Sequence, residues 1–130
     1  MKTGKKFLGD LYSIKRSGQG DDAGRSTFRI VINPLHEIFR GHFPGNPVLP
    51  GACTIQIIKE LAEEAAGKNV LLSEAHSIKY LSFINPELNG ILDIDIQIKE
   101  KDTGLLSCNA SVHYEGTIFC NLKGTLTLLP

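Results

Sequence analysis

The sequence predicts an α+β fold in which one helix lies against a long antiparallel sheet. Three observations lead there. The last 40 residues alternate apolar and polar side chains over three successive stretches, the period of a half-buried strand. Ala52 to Ala66 carries an apolar stripe at helical spacing with no Gly or Pro inside it. Short connectors containing Gly separate the alternating stretches, as hairpins require.

Composition bounds the rest. A chain of 130 residues favours one domain, residues 1–130, with room for a modest core. Hydrophobic residues at 42% and charged ones at 22% place it among globular proteins rather than disordered ones. Fourteen Lys and Arg balance fourteen Asp and Glu. A nucleic-acid binder needs a basic excess to neutralise phosphates, so none is expected. The apolar runs are a few residues long, far short of a membrane span. Met1 to Lys6 is basic without the apolar run of a secretory signal and is expected to fray. Cys53, Cys108 and Cys120 form no CxxC pair and cannot all be disulfide-bonded, which reads as reduced thiols in a cytoplasm.

Taken in order, Ser17 to Ser26 holds three Gly and two adjacent Asp, the chemistry of a turn or loose loop. Thr27 to Ile32 sets Phe28, Ile30 and Ile32 on one face of a strand. The helix stripe is Ile55, Ile58, Ala62, Ala65 and Ala66, broadened by Ile57 and Leu61. Gln56, Lys59, Glu60, Glu63 and Glu64 make an opposite, solvated stripe. Gly67 supplies the C-terminal stop. Residues 75–84 form a further strand of mixed alternation. Leu92, Ile94, Ile96 and Ile98 then alternate with polar neighbours. Leu106, Cys108, Ala110, Val112 and Tyr114 repeat the pattern, and Cys120, Leu122, Leu126 and Leu128 close the meander. Lys101 to Gly104 and Glu115-Gly116 are the hairpin turns. A helix of this length cannot stand alone in water, so it packs on the meander's apolar face. The C-terminal strands leave edges, and a short unit gains core by pairing sheets across a two-fold, so a dimer is expected.

The chemistry concentrates just before the helix. Residues 41–51 read Gly-His-Phe-Pro-Gly-Asn-Pro-Val-Leu-Pro-Gly, a run too rich in Pro and Gly for a strand or helix. This loop ends at a helix start, whose free N–H groups suit a carbonyl oxygen or a developing oxyanion. His42 is its one side chain able to carry a proton near neutral pH. A lone histidine is more often packed in a structural turn. The rigid loop and adjoining helix start favour function here.

That run resembles the signature of β-hydroxyacyl–acyl carrier protein dehydratases of the hot-dog fold. The likeness is strong from Phe39 to about Glu64 and weaker through Phe83-Ile84-Asn85-Pro86 to Gly90. It implies a sheet wrapped on one central helix, an acyl carrier protein substrate and a homodimer or higher oligomer of dimers. His42 would take the proton next to the thioester, facing a helix residue of the partner subunit. Gly51 would polarise the thioester carbonyl through its N–H, and the Val48 carbonyl would orient the imidazole. Phe43 and Phe83 would complete the substrate-binding wall. No cofactor or metal is implied.

The chain departs from the family on the helix. Fourteen residues after the histidine the family carries a Glu or Asp that helps expel the β-hydroxyl, and this chain has Gln56. One turn later, where common dehydratases tend to have Gln, it has Glu60. Read alone, Glu60 belongs to the solvated stripe. An amide orients a hydroxyl or a water but donates no acidic proton. Gln56 is therefore expected to point into the pocket and hold the hydroxyl while His42 takes and returns the proton itself. Glu60 is the alternative donor if it is buried near the pocket. Three functions stay open: a dehydratase in fatty-acid or polyene-type synthesis, a hot-dog thioesterase, and a non-catalytic acyl-binding subunit of a dehydratase complex.

The other candidates are weaker. His113 falls on the polar phase of its strand, His76 opens a strand, and His36 is expected to cap the turn after Pro34. Cys53 is expected to be a small buried hydrophobe. No HExxH, CxxC or Gly-rich phosphate loop is present.

Overall fold

A computed structural model describes residues 9–18 and 24–130. Among these, the chain runs β1 (Tyr12–Gly18), β2 (Arg25–Ile32), α1 (Ile38–Gly41), α2 (Gly51–Ala66), β3 (Val70–Tyr80), β4 (Ile91–Asp102), β5 (Leu105–Tyr114) and β6 (Thr117–Leu128). The strands make one antiparallel sheet in the order β1-β2-β4-β5-β6-β3, and α2 lies on one face of it. The α+β expectation holds.

The period-two pattern chooses that face. Phe28, Ile30 and Ile32 of β2, Leu92, Ile94 and Ile96 of β4, Cys108, Ala110 and Val112 of β5, and Leu122 and Leu126 of β6 are all buried. Each was legible as inward-facing because successive side chains of a strand point to opposite faces. The turn between β5 and β6 is tight, with Glu115 and Gly116 both at positive φ, the geometry of a type I′ hairpin. Across β2 and β4, Arg29 grips Asp93 through Nε and Nη2 at 2.7 and 2.9 Å, with Tyr114 beneath the guanidinium.

Four expectations are corrected. Tyr12–Gly18 is a strand, and Gly18, Arg25 and Ser26 belong to strands rather than to a loop. Residues 19–23 of that segment, and Met1 to Lys6, lie outside the described residues. The strand expected at 75–84 runs from Val70 to Tyr80 instead, so His76 sits inside it. Its pairing with β6 slips between Leu72 and Glu74 and again between Ala75 and Ser77. Each slip inserts an extra residue and reverses the facing, which is why the alternation looked mixed. The strand stops there because Leu81 and the residues after it leave the ladder for a loop. In that loop the Asn85 and Asn89 side chains accept backbone N–H groups. The open edges belong to β1 and β3, not to the C-terminal strands, because β6 is covered by β3.

The helix boundaries match to one residue. Gly67 caps α2 at φ 68°, and its N–H reaches the Glu63 carbonyl, a left-handed turn that glycine adopts without strain. The buried face, however, centres on Ile57, Ile58, Leu61 and Ala62, with Cys53 and Thr54, while Ile55 is only half-buried. Glu63 is buried too, against the expected solvated stripe. Its carboxylate accepts the Val70 N–H at 2.9 Å and meets Lys59 at 3.2 Å. It thus satisfies the first backbone donor of β3.

Candidate active site

His42 follows directly on α1, and the loop to α2 is tied by its own backbone. Phe43 and Asn46 exchange N–H···O bonds at 3.1 and 2.9 Å, and the Leu49 N–H reaches the Ile84 carbonyl. The Val48 N–H donates to the His42 carbonyl at 2.9 Å. His42 Nδ1 in turn lies 3.1 Å from the Val48 carbonyl oxygen. A carbonyl only accepts, so Nδ1 carries the proton and the neutral ring keeps its lone pair on Nε2. The imidazole also stacks on Phe43, centroids 4.1 Å apart. One side-chain hydrogen bond and a stacked ring, with a backbone bond holding the loop, therefore fix a side chain that composition alone marked only as titratable.

His42, Phe43, Val48, Gly51 and Phe83 line one cavity of about 730 Å³, large enough for a small organic ligand. Its walls are mainly apolar, and the start of α2 opens into it at Gly51. The first N–H groups of a helix have no partner within it, which leaves the Gly51 amide available to an oxygen. A groove of about 780 Å³ crosses the outer face of the sheet. Polar side chains such as Arg25, Asp95, Asn121 and Lys123 line it, without the loop-and-helix arrangement that concentrates chemistry at His42.

Gln56 and Glu60 are not among the residues lining the His42 cavity. At ~100° per residue, Gln56 stands about half a turn round the helix from Thr54, which does line it. Instead, Gln56 Nε2 donates to Glu60 Oε2 at 3.1 Å, and the buried Tyr12 hydroxyl donates to Glu60 Oε1 at 2.7 Å. Glu60 is therefore a half-buried member of a polar cluster rather than a solvated charge. Burial, followed by the bond to Glu60, holds the Tyr12 phenol protonated well above its usual range. The amide orientation of Gln56 follows: with Nε2 on a carboxylate, Oε1 is the acceptor it presents elsewhere.

The remaining candidates take structural places. His36 Nδ1 accepts the Ile38 N–H at 3.0 Å, just after the turn that follows Pro34. His113 meets Asp95 at 2.8 Å on the outer face. His76 meets the Thr125 hydroxyl at 3.0 Å. Cys53 is buried, and burial pushes its thiol up. Among the described residues, no group of three or more His, Cys, Asp or Glu is placed to hold a metal. No described helix is long and apolar enough to cross a membrane.

Sequence reasoning missed Tyr80, Phe119 and Cys120 as cavity residues. Phe119 had no signal, because a bulge between its neighbours turns it inward beside Cys120. Tyr80 pairs with Cys120 and so faces the helix, which required knowing the register of β3.

The chain is similar to several known proteins. The ApeI-like family, described as ApeI dehydratase, matches residues 18–118. The chain is 32% identical over 94 residues to the 3-hydroxyacyl-[acyl-carrier-protein] dehydratase FabZ of Pediococcus pentosaceus. That alignment covers 67% of this chain and 62% of the relative. It is 30% identical to FabZ of Lactobacillus helveticus, covering 76% and 69%. Among solved structures, the dehydratase heterocomplex ApeI:P from Xenorhabdus doucetiae superposes with a TM-score of 0.70 at 22% identity, over 88% of this chain and 96% of that one. A mutant of the fluoroacetyl-CoA-specific thioesterase FlK gives 0.67 at 13% identity, over 86% and 90%. Such distant structures establish the hot-dog fold, which dehydratases and thioesterases share. The match to the family across residues 18–118 goes further: this chain belongs to the ApeI-like dehydratase family.

Proposed function

We propose that this chain removes water from β-hydroxyacyl thioesters borne on acyl carrier protein, in fatty-acid or polyene-type synthesis. The observation that carries the reading is the His42 imidazole, held by Val48 with Nε2 as its free base, in an apolar cavity that also opens onto Gly51. The thioester carbonyl rests on the Gly51 N–H. His42 Nε2 takes the α-proton as charge moves onto that oxygen, where the amide and the helix end stabilise it. The same proton returns from His42 to the β-hydroxyl, which leaves as water. The α-proton is thereby consumed, and no other acid is needed.

Gln56 enters this scheme from a second copy. Its position away from the cavity of its own chain is what a shared site needs, with the partner subunit's Gln56 accepting a hydrogen bond from the β-hydroxyl. Two features support a dimer of single-domain subunits. β3 is an 11-residue edge strand, exposed along most of its length, and such an edge invites pairing. Leu71 and Tyr80 on this strand and Leu81 and Phe83 just after it are exposed large hydrophobics, the kind of surface that marks an interface. Three free cysteines fit a reducing cytoplasm.

The amide at position 56 also suits a water-holding thioesterase, and an acyl-binding subunit with a different, active partner is the third reading. Incubation with β-hydroxyacyl carrier protein and mass spectrometry separates them. Loss of 18 mass units (water;) is expected; release of free acid assigns a thioesterase, and binding without turnover assigns the subunit. His42→Ala should keep the circular dichroism of the parent and lose turnover by ~10²–10⁴, the usual worth of a general base. A variant with near-parental turnover moves the site elsewhere. Light scattering at micromolar concentration should give a dimer mass, and a monomer refutes the shared site.

A further inference from the structure

Tyr80 has no chemical role in the scheme above, yet it lines the same cavity. It ends β3 opposite Cys120, with its side chain on the helix side of the sheet. A Cβ added to Gly51 would meet Tyr80 Cζ and the hydroxyl oxygen at 2.8 Å each. The phenol thus lies against Gly51 at the start of α2, and both line that cavity with His42. A side chain at position 51 would have to push the phenol aside. The Tyr80 hydroxyl makes no hydrogen bond among the described residues. A ring serving only as an apolar wall gains nothing from a hydroxyl, and a hydroxyl placed beside a bound ester would lose its water without replacement. Tyr80 is exposed as a whole, but partial desolvation, with Cys120 adding, raises the phenol, so it is protonated and able to donate.

We propose that the Tyr80 hydroxyl is a second hydrogen-bond donor to the thioester oxygen, acting beside the Gly51 N–H. This rests on the reading that the His42 cavity receives an acyl thioester. No covalent bond forms or breaks at the phenol. Its hydrogen bond to the carbonyl oxygen shortens as that oxygen gains enolate charge and relaxes when the charge returns. A donor aimed at charge that develops in the transition state accelerates the step more than it tightens binding. Tyr80 therefore acts on turnover, whereas Phe43 and Phe83 contribute contact area.

The test is Tyr80→Phe, which keeps the ring over Gly51 and removes only the hydroxyl. With β-hydroxyacyl-pantetheine thioesters, kcat should fall by ~10², the low end of losses seen for oxyanion donors, while KM stays near the parent's. The second readout needs no turnover: the infrared carbonyl stretch of a bound, carbonyl-labelled crotonyl-pantetheine. It should lie at lower frequency in the parent than in Tyr80→Phe. Equal kcat together with equal frequency in the two proteins overturns the assignment. A frequency that depends on Tyr80 in a protein that forms no enoyl product supports the donor and refutes the dehydratase reading. Failure of the parent to bind the thioester overturns both.

Discussion

Replacing Gln56 by Glu places a second carboxylate one helical turn before Glu60, in contact with it. The amide nitrogen of Gln56 now lies 3.1 Å from Glu60 Oε2, so the substitution exchanges a hydrogen bond for like charges at that distance. Coulomb's law puts the repulsion at ~1.3 kcal/mol with the dielectric of water and ~5 kcal/mol at an effective dielectric of 20. Exposed like charges at this helical spacing cost only a few tenths. Both side chains are half-buried, so a loss of about 1–2 kcal/mol at neutral pH is expected. The sign with pH follows from protonation. The folded variant's carboxyl pair holds a proton to higher pH than the unfolded chain, where Glu ionises near ~4.3. The penalty is thus absent below about pH 4 and complete above the pair's own titration. The exchange variant Gln56→Glu/Glu60→Gln should recover the loss. Its amide at position 60 accepts from Tyr12 through oxygen and donates to the carboxylate at 56 through nitrogen, so every hydrogen bond is kept. Urea midpoints of the three proteins at pH 4.5 and 7.5 decide it. Equal midpoints for Gln56→Glu at both pH values, with no recovery in the exchange variant, would refute the cluster. The same proteins report on chemistry: if His42 alone moves the proton, turnover survives in Glu60→Gln. Loss of turnover there, with none gained in Gln56→Glu, assigns the acid to Glu60.

Two further outcomes bear on the scaffold. Leu61 is fully buried where α2 meets the sheet, so Leu61→Ala should cost ~2–5 kcal/mol in urea unfolding; a loss below about 1 kcal/mol would mean that the helix is not seated there. Arg29 holds the Asp93 carboxyl below its usual range, so the contribution of this pair is complete above about pH 4 and fades as pH falls through the folded titration. Asp93→Asn should therefore be less stable than the parent at pH 7, with the gap narrowing toward pH 2; a gap that is constant with pH contradicts the pairing.

Local residue patterns dictate the layers and the place of the chemistry. Period-two alternation in β2, β4, β5 and β6 and the stripe of α2 are local properties, since each residue's facing follows from its neighbours'. The loop from Gly41 to Gly51 is local as well. Its Pro and Gly spacing fixes a backbone shape, and through it the Val48 carbonyl beside His42. Only the tertiary structure decided the rest. The facing of β3 is set by two bulges, and a bulge is a property of the pairing with β6 rather than of β3's own residues. That register carries Tyr80 onto Gly51, and the bulge in β6 turns Phe119 inward beside Cys120. Glu60 and Glu63 read as surface charge because a helix shows only which residues share a face. Whether that face meets water depended on β1, whose short run gave no clear period, and on the backbone donor at Val70. Pairwise contacts between distant segments, Tyr12 with Glu60 and Tyr80 with Gly51, exist only once the sheet has closed round the helix. Hydrogen bonding and exclusion of volume then decide what composition leaves open.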